Sequence, residues 1–262
     1  MNFDKVSFSS DSAVAKIRLN TPENFNSMNH ELLDELLAAL ELCKDNAIKA
    51  VVLSGAGKAF CAGGDIKFMK KCLDNGKISD FFPVVDKAGK AAKAIRALNK
   101  PVIAAVQGSA AGAGSNLAFV CDFIIAEENA RFLESYINIA LVPDNGGSQV
   151  LRSRVTLGKM NEMLFLGQPL TANEALEMGA INAVVKKEDM DNEVQKLLDQ
   201  LVSLPPVAAG KIKAMINKRA YANFDEMIDM EYEYMTDCLQ TKDFAEGILA
   251  FLQKRKPEFR GF

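Results

Sequence analysis

The sequence predicts an α/β fold with parallel strand pairing, followed by a helical C-terminal region. Three observations carry that prediction. Short buried-strand patterns at residues 50–54, 102–106 and 123–126 alternate with segments of helical character, and strands spaced by helices in this way form βα units with parallel pairing. Residues 101–121 carry no charge, are bracketed by Lys100 and Asp122, and contain Gly108, Gly112 and Gly114. From Met190 onward only helical patterns remain, broken at Pro205-Pro206.

In chain order, residues 3–9 and 13–19 alternate as two strands joined by the turn residues Ser10-Asp11-Ser12, and Asn20-Thr21-Pro22 ends the pair. Ser27 or Asn29 then caps a helix whose buried face holds Leu32, Leu33, Leu36, Leu37 and Leu40. The strand at 50–54 breaks at Gly55 and leads into a glycine-containing loop at 57–65, and a helix over about 84–98 follows. About 20 apolar residues suffice to span a bilayer, but Gln107, Ser109, Ser115 and Asn116 argue against a membrane helix at 101–121. The better parse is a buried strand, a glycine turn and a buried helix opening near Ala113. Strand patterns at 123–126 and 131–133 come next, and Pro143-Asp144-Asn145-Gly146-Gly147 opens another helix. Thr171 to Glu174 reads as a capping box, with Gly179 closing its helix. The composition shift places one boundary near residue 200, dividing a core of 1–200 from a helical region of 201–262.

The totals exclude several function classes. Lys and Arg number 31 against 34 Asp and Glu, for a net charge of −3, so electrostatics give nucleic-acid binding little support. Five cysteines at irregular spacing contain no CxxC pair, which argues for neither a metal site nor a disulfide framework. The charged start is unlike a secretory signal. The expectation is a cytoplasmic protein with a substantial core, no membrane association and no nucleic-acid partner. Three standard enzyme patterns also fail: Gly112 to Leu117 misses the third glycine of a dinucleotide fingerprint, Gly146 to Val150 misses the closing glycine of GxSxG, and no P-loop occurs. The single histidine, His30, stands at a helix start, where a solvated residue is expected.

Two glycine loops remain, Phe60-Cys61-Ala62-Gly63-Gly64-Asp65-Ile66 and Gly108 to Asn116, each following a buried strand. Such loops could aim two backbone N–H groups at one oxygen, each worth about 3 kcal/mol of transition-state stabilisation. Small residues that merely allow close strand–helix packing explain them equally well. Asp144 is likewise open at this level: a helix N-cap or a functional acid.

Taken together with Leu141-Val142-Pro143-Asp144-Asn145-Gly146-Gly147, these two loops resemble the crotonase family of enoyl-CoA hydratases and isomerases, over nearly the whole chain. The resemblance implies a ClpP-like spiral of ββα units, acyl-CoA thioester substrates, and a C-terminal helical region that builds a homotrimer or a dimer of trimers. No separate cofactor is implied, because coenzyme A is part of the substrate. In that family two backbone N–H groups hold the thioester oxygen, and they map onto Gly64 and Ala113. By the same resemblance Phe25, Ser27, Ala62, Gly63, Asp65, Ile66, Gly112, Asn116, Tyr136 and Lys254 surround the substrate, with Asp65 organising its loop. Lys254 is either a contact to coenzyme A from a neighbouring subunit or a solvated surface charge.

The acids then separate one family reaction from another. Hydratase-type relatives place carboxylates at the positions of Asn116 and Tyr136, neither of which is an acid here. An amide cannot accept the proton, and a phenol with a pKa near 10 is a poor base at neutral pH. Isomerase-type relatives, and those acting on ring-epoxidised phenylacetyl-CoA, carry an acid at the position of Asp144. The expectation is therefore an isomerase converting 3-enoyl-CoA to 2-enoyl-CoA, with Asp144 carrying the proton. Alternatives are an epoxyphenylacetyl-CoA (oxepin-CoA) isomerase, a hydratase in which Glu134 or Tyr136 substitutes, and a non-catalytic acyl-CoA binder. A dehalogenase is disfavoured, since the chain has no Trp and only His30. Glu134 is expected to be a surface glutamate at a strand end. The apolar approach to Asp144 would raise its pKa and a helix N-terminus would lower it, two effects of opposite sign.

Overall fold

The computed structural model describes residues 3–11 and 13–262. β1 (Val6–Asp11) pairs antiparallel with β2 (Val14–Leu19). Ser10 and Asp11, expected in the turn, lie in β1 because the hairpin register continues to Asp11 opposite Val14; Ser12, the third expected turn residue, is outside the described residues. α1 (His30–Leu42) is capped by Asn29, whose side chain accepts from the Leu32 N–H, and it buries Leu32, Leu33, Leu36 and Leu40. β3 (Ala50–Gly55) keeps Gly55 within the strand. α2 (Ile66–Asp74) has no counterpart in the sequence reading; Asp65 caps it, accepting from the N–H groups of Lys67 and Phe68.

α3 (Phe82–Ala97), β4 (Val102–Val106), β5 (Ser109–Ala111), α4 (Ala113–Phe119), β6 (Phe123–Glu127) and β7 (Arg131–Leu133) follow. After a 3-10 turn at Ser135–Ile139 come α5 (Gly147–Arg154), α6 (Leu157–Leu166), β8 (Leu170–Thr171), α7 (Ala172–Glu177) and β9 (Ala183–Val185). The Thr171–Glu174 capping box is present. The chain ends in α8 (Met190–Val202), α9 (Pro206–Ala220), α10 (Phe224–Leu239) and α11 (Lys242–Gln253), as the helical pattern from Met190 predicts.

The strands form two sheets. The larger has the order β1-β2-β3-β4-β6-β9 and is parallel from β2 onward; the smaller has the order β5-β7-β8. Each of the units β4–β5–α4 and β6–β7–α5 gives one strand to each sheet and then a helix, which is the repeating ββα turn of a crotonase spiral. Because side chains alternate along a strand, the near-continuous burial of β3, β4 and β6 means that the centre of the large sheet is covered on both faces. Val51, Leu53 and Ala104 join the main core with α1 and α3, while Ala50, Val52, Ile103 and Ile125 pack beneath Val194, Leu198 and Leu201 of α8.

α9 is tied to this body by charge. Lys213 reaches Asp122 at 2.8 Å, and Arg96 reaches the same carboxylate at 2.8 Å. A carboxylate shared by two buried cations is costly to break, by about 3–5 kcal/mol when one partner is removed. No helix among the described residues is long and apolar enough to cross a membrane.

Candidate active site

Sheet register brings the two glycine loops together. An isolated parallel bridge pairs Cys61 with Ala110, so the first loop is in effect an extra edge strand beside β5. The Ala111 N–H donates to the Cys61 carbonyl at 2.9 Å, and the Gly112 N–H donates to the Leu133 carbonyl of β7 at 2.7 Å. Gly64 and Ala113 are each three residues beyond that bridge, so parallel pairing delivers them side by side. Gly63 has φ +82°, and a Cβ there would stand 2.5 Å from the Ala111 carbonyl oxygen and 3.4 Å from the Ala113 nitrogen. Only glycine allows this approach.

Ala113 is the first residue of α4, where backbone N–H groups have no helical acceptor. Neither its N–H nor that of Gly64 donates to a protein acceptor among the described residues. Both residues border a cavity of about 370 Å³ with mostly apolar walls, including Ile66, Met69, Val85, Leu141 and Phe251. That size lies within the usual range of small-molecule sites.

Tyr136 and Asp144 also line this cavity. Tyr136 stands just after β7, in the 3-10 turn, and donates its phenolic proton to Asp144 Oδ1 at 2.6 Å. Behind it, Asn116 Nδ2 donates to the Tyr136 oxygen at 3.0 Å and to the Asp144 backbone carbonyl at 3.1 Å. Burial pushes Asp144 from 3.8 up to about 7; the Tyr136 hydrogen bond pulls it down and Glu231 pushes it up. Burial also holds the Tyr136 phenol well above its ordinary value, so it stays a donor.

Asp144 is not a helix cap. α5 starts at Gly147 with Gly146 at its N-cap position, in the left-handed region at φ +85°. The N–H groups opening this helix are met by Glu231 of α10, which accepts from Gly146 N–H at 2.6 Å and Ser148 N–H at 2.9 Å. Glu231 therefore occupies the helix N-terminus, and burial dominates at Asp144. The sequence reading missed Glu231, although a signal exists: Phe224, Ile228, Glu231 and Met235 follow the buried stripe of α10, and a carboxylate on such a stripe needs a partner.

The other expected residues divide into those at the cavity and those behind it. Ala62, Gly63, Ile66 and Gly112 line it. Asn116 does not, being fully buried behind Tyr136. Asp65 caps α2. Phe25 is 53% exposed and Ser27 is buried, and neither lines the cavity; their loop is held by Asn26, whose amide donates to the carbonyls of Ala56 and Ala59 at 2.9 Å. Lys254 is exposed one turn past Phe251 and lies outside the cavity lining.

Glu134 contradicts the expectation of a surface glutamate: it is fully buried, close to Ser115 of α4 and to Asp144. Both its oxygens lack a hydrogen-bond partner, as does the nearby Ser115 hydroxyl. Burial holds Glu134 well above the usual carboxylate range, opposed by its proximity to Ser115, although no hydrogen bond of good geometry joins them. It does not line the cavity. The Cys61 thiol, which sits in the first glycine loop, is pushed up to about 12 by burial and donates to the Asn26 carbonyl. It is no nucleophile. Among the described residues no group of three or more His, Cys, Asp or Glu could hold a metal.

Paired free N–H groups beside a buried acid define a site that can stabilise an oxyanion while moving a proton. Comparison with known proteins names the class. A family model described as enoyl-CoA hydratase/isomerase matches residues 9–261, and the chain belongs to that enzyme family, the crotonases. It is 30% identical over 262 residues to the trans-2-decenoyl-[acyl-carrier-protein] isomerase of Streptococcus mutans, covering 100% of both chains. It is 34% identical to the 1,2-epoxyphenylacetyl-CoA isomerase of Escherichia coli, over 96% of each. Among solved structures, an enoyl-CoA hydratase from Mycobacterium avium subsp. paratuberculosis superposes with a TM-score of 0.90 at 31% identity, covering 99% of this chain and 100% of that one.

Proposed function

We propose that this enzyme isomerises an acyl thioester, moving a double bond from the 3,4 to the 2,3 position. The observation that carries the reading is Asp144: it is the carboxylate bordering the cavity that holds the free N–H groups of Gly64 and Ala113, and its pKa of about 7 suits both taking up and returning a proton. The thioester oxygen sits between those two N–H groups. Asp144 removes a proton from C2, the electron pair delocalises as a dienolate, and the charge gathers on the held oxygen. Asp144 then delivers a proton to C4 and the 2-enoyl thioester forms. Tyr136 orients the carboxylate, and no separate cofactor takes part.

Hydration is disfavoured because Asn116 and Tyr136 supply no second acid, and Glu134 does not line the cavity. The thioester carrier has two readings. Coenzyme A is the carrier implied by the family, with Phe25, Ser27 and Lys254 around it. Acyl carrier protein is supported by the full-length similarity to a decenoyl-[acyl-carrier-protein] isomerase. A ring-epoxide substrate is supported in the same way and could use the same acid. We assign residues 201–262 to assembly of a homotrimer or a dimer of trimers, for which α9 exposes Val207 and Met215, with residues 1–200 as the spiral core.

The deciding experiment is Asp144→Asn assayed on 3-enoyl-CoA and on the 3-enoyl acyl-carrier-protein thioester. Conversion to the 2-enoyl product is expected to be abolished on the carrier the enzyme uses, with thioester binding intact. Unchanged turnover would overturn the assignment.

A further inference from the structure

Asp144 borders two cavities, not one. A second cavity of about 310 Å³ lies on the far side of Asp144 and Val85, the two residues that line both spaces. Its lining is mixed, where that of the first is mostly apolar. It is enclosed by Asn145 and by α3 and α10, which cross so closely at Gly89 that a Cβ there would stand 2.8 Å from Ile228 Cγ2. Its rim carries the ion pairs Lys93–Asp229 at 2.9 Å and Lys90–Asp86 at 2.6 Å, with Tyr232 nearby. The ion-paired side chains in this lining can hold water.

Asn145 closes the wall of this cavity next to Asp144. Asn145 is 2% exposed; its Nδ2 donates to the Ala113 carbonyl at 3.2 Å, while its Oδ1 has no protein partner. That oxygen is out of reach of a water molecule in the cavity, so Asn145 forms part of the cavity wall and is not a water ligand.

The alternative proton path is closed. The hydrogen-bond chain on the first side of Asp144 runs through Tyr136 to Asn116 and ends in the buried interior. An amide cannot relay a proton onward, and the Asn116 Oδ1 has no partner. A bound acyl group fills the first cavity. A proton held by Asp144 then has two destinations: back to the substrate, or out past Val85.

We propose that the second cavity is a water-filled passage through which the proton on Asp144 exchanges with solvent while substrate occupies the first. The inference rests on Asp144 being the proton carrier. During isomerisation the C2–H bond breaks and an O–H bond forms on Asp144; in D2O this proton either returns directly to C4 or is first replaced by deuterium from the passage. The ratio of deuterated to undeuterated product at C4 measures the competition between the two.

The test is a single turnover of 3-hexenoyl-CoA in D2O, with the 2-hexenoyl product analysed by mass spectrometry. Ile228→Phe, which narrows the passage from the α10 side, is expected to lower the ratio at least threefold. Val85→Ala, which thins the partition, is expected to raise it at least threefold. The two variants move the ratio in opposite directions, which general loosening of the fold would not do, and Val85→Ala decides the matter alone if Ile228→Phe does not fold. Ratios unchanged in folded variants, or no deuterium at C4 in the wild type, would overturn the passage while leaving the isomerase intact. No isomer from the wild type with either the coenzyme A or the acyl-carrier-protein thioester would overturn both.

Discussion

The phenolic oxygen of Tyr136 donates to Oδ1 of Asp144 across 2.6 Å, within a buried site. This bond stabilises the ionised carboxylate that burial opposes, and the balance leaves Asp144 at about 7. A hydrogen bond to a charged group is worth about 1.5–3 kcal/mol, so removing it in Tyr136→Phe should raise the Asp144 pKa by about 1–2 units. The acid limb of the pH–rate profile is expected to move to higher pH, cutting turnover about tenfold or more at pH 6 and little at pH 9. An unmoved limb would show that Tyr136 does not tune Asp144.

Asp144 also limits stability. Its folded pKa is raised above the unfolded value, so its favourable contribution is complete below pH 4 and is lost as pH rises through about 7. A rise from 3.8 to about 7 corresponds to a cost on the order of 4 kcal/mol for the ionised form. Asp144→Asn should therefore be more stable than the wild type by about 1–3 kcal/mol near pH 7.5, raising Tm by roughly 2–4 °C per kcal/mol. The gain should grow between pH 4 and 7 and then level off, as thermal melts across that range would reveal.

The two glycines of the first loop should respond differently to alanine. In Gly63→Ala the new methyl meets the Ala111 backbone carbonyl at 2.5 Å, which must push the loops apart and misalign the two N–H donors. We expect kcat to fall about 100-fold or more, the scale of losing one oxyanion donor. In Gly64→Ala the nearest atom is Met69 Cε, the end of a flexible side chain, and the loss should stay within about tenfold. Steady-state kinetics giving the reverse order would contradict the placement of the hole.

Glu231 supports the site from α10. Glu231→Ala leaves the Gly146 and Ser148 donors unmet and should cost about 2–4 kcal/mol in urea unfolding. Glu231→Gln keeps an acceptor and should cost less. Because the Glu231 charge raises the Asp144 pKa, the glutamine variant should also shift the acid limb of the rate profile to lower pH.

Much of the spiral was legible locally. β4 and α4 are written in an uncharged run broken by glycines, although β5 between them was read as part of the glycine turn, and the C-terminal helices are announced by composition and by Pro205-Pro206. Those features depend on neighbours in the chain, which is why they could be read. The hairpin end at Asp11 and the short α2 were misread because register and a nearby cap, not periodicity, set them.

What the sequence by itself determined was the two glycine loops, their place after buried strands, and one aspartate where a hydratase would have relied on other positions. Tertiary structure decided what that aspartate is. Asp144 before Gly146-Gly147 looks like a helix cap until Glu231, far along the chain, takes the cap site. With the helix N-terminus so occupied, desolvation outweighs the dipole, and the carboxyl titrates near neutrality beside Gly64 and Ala113. The same packing buried Glu134, which its local sequence had placed at the surface. Desolvation is a property of what surrounds a group in three dimensions, and residues distant in sequence supply those surroundings.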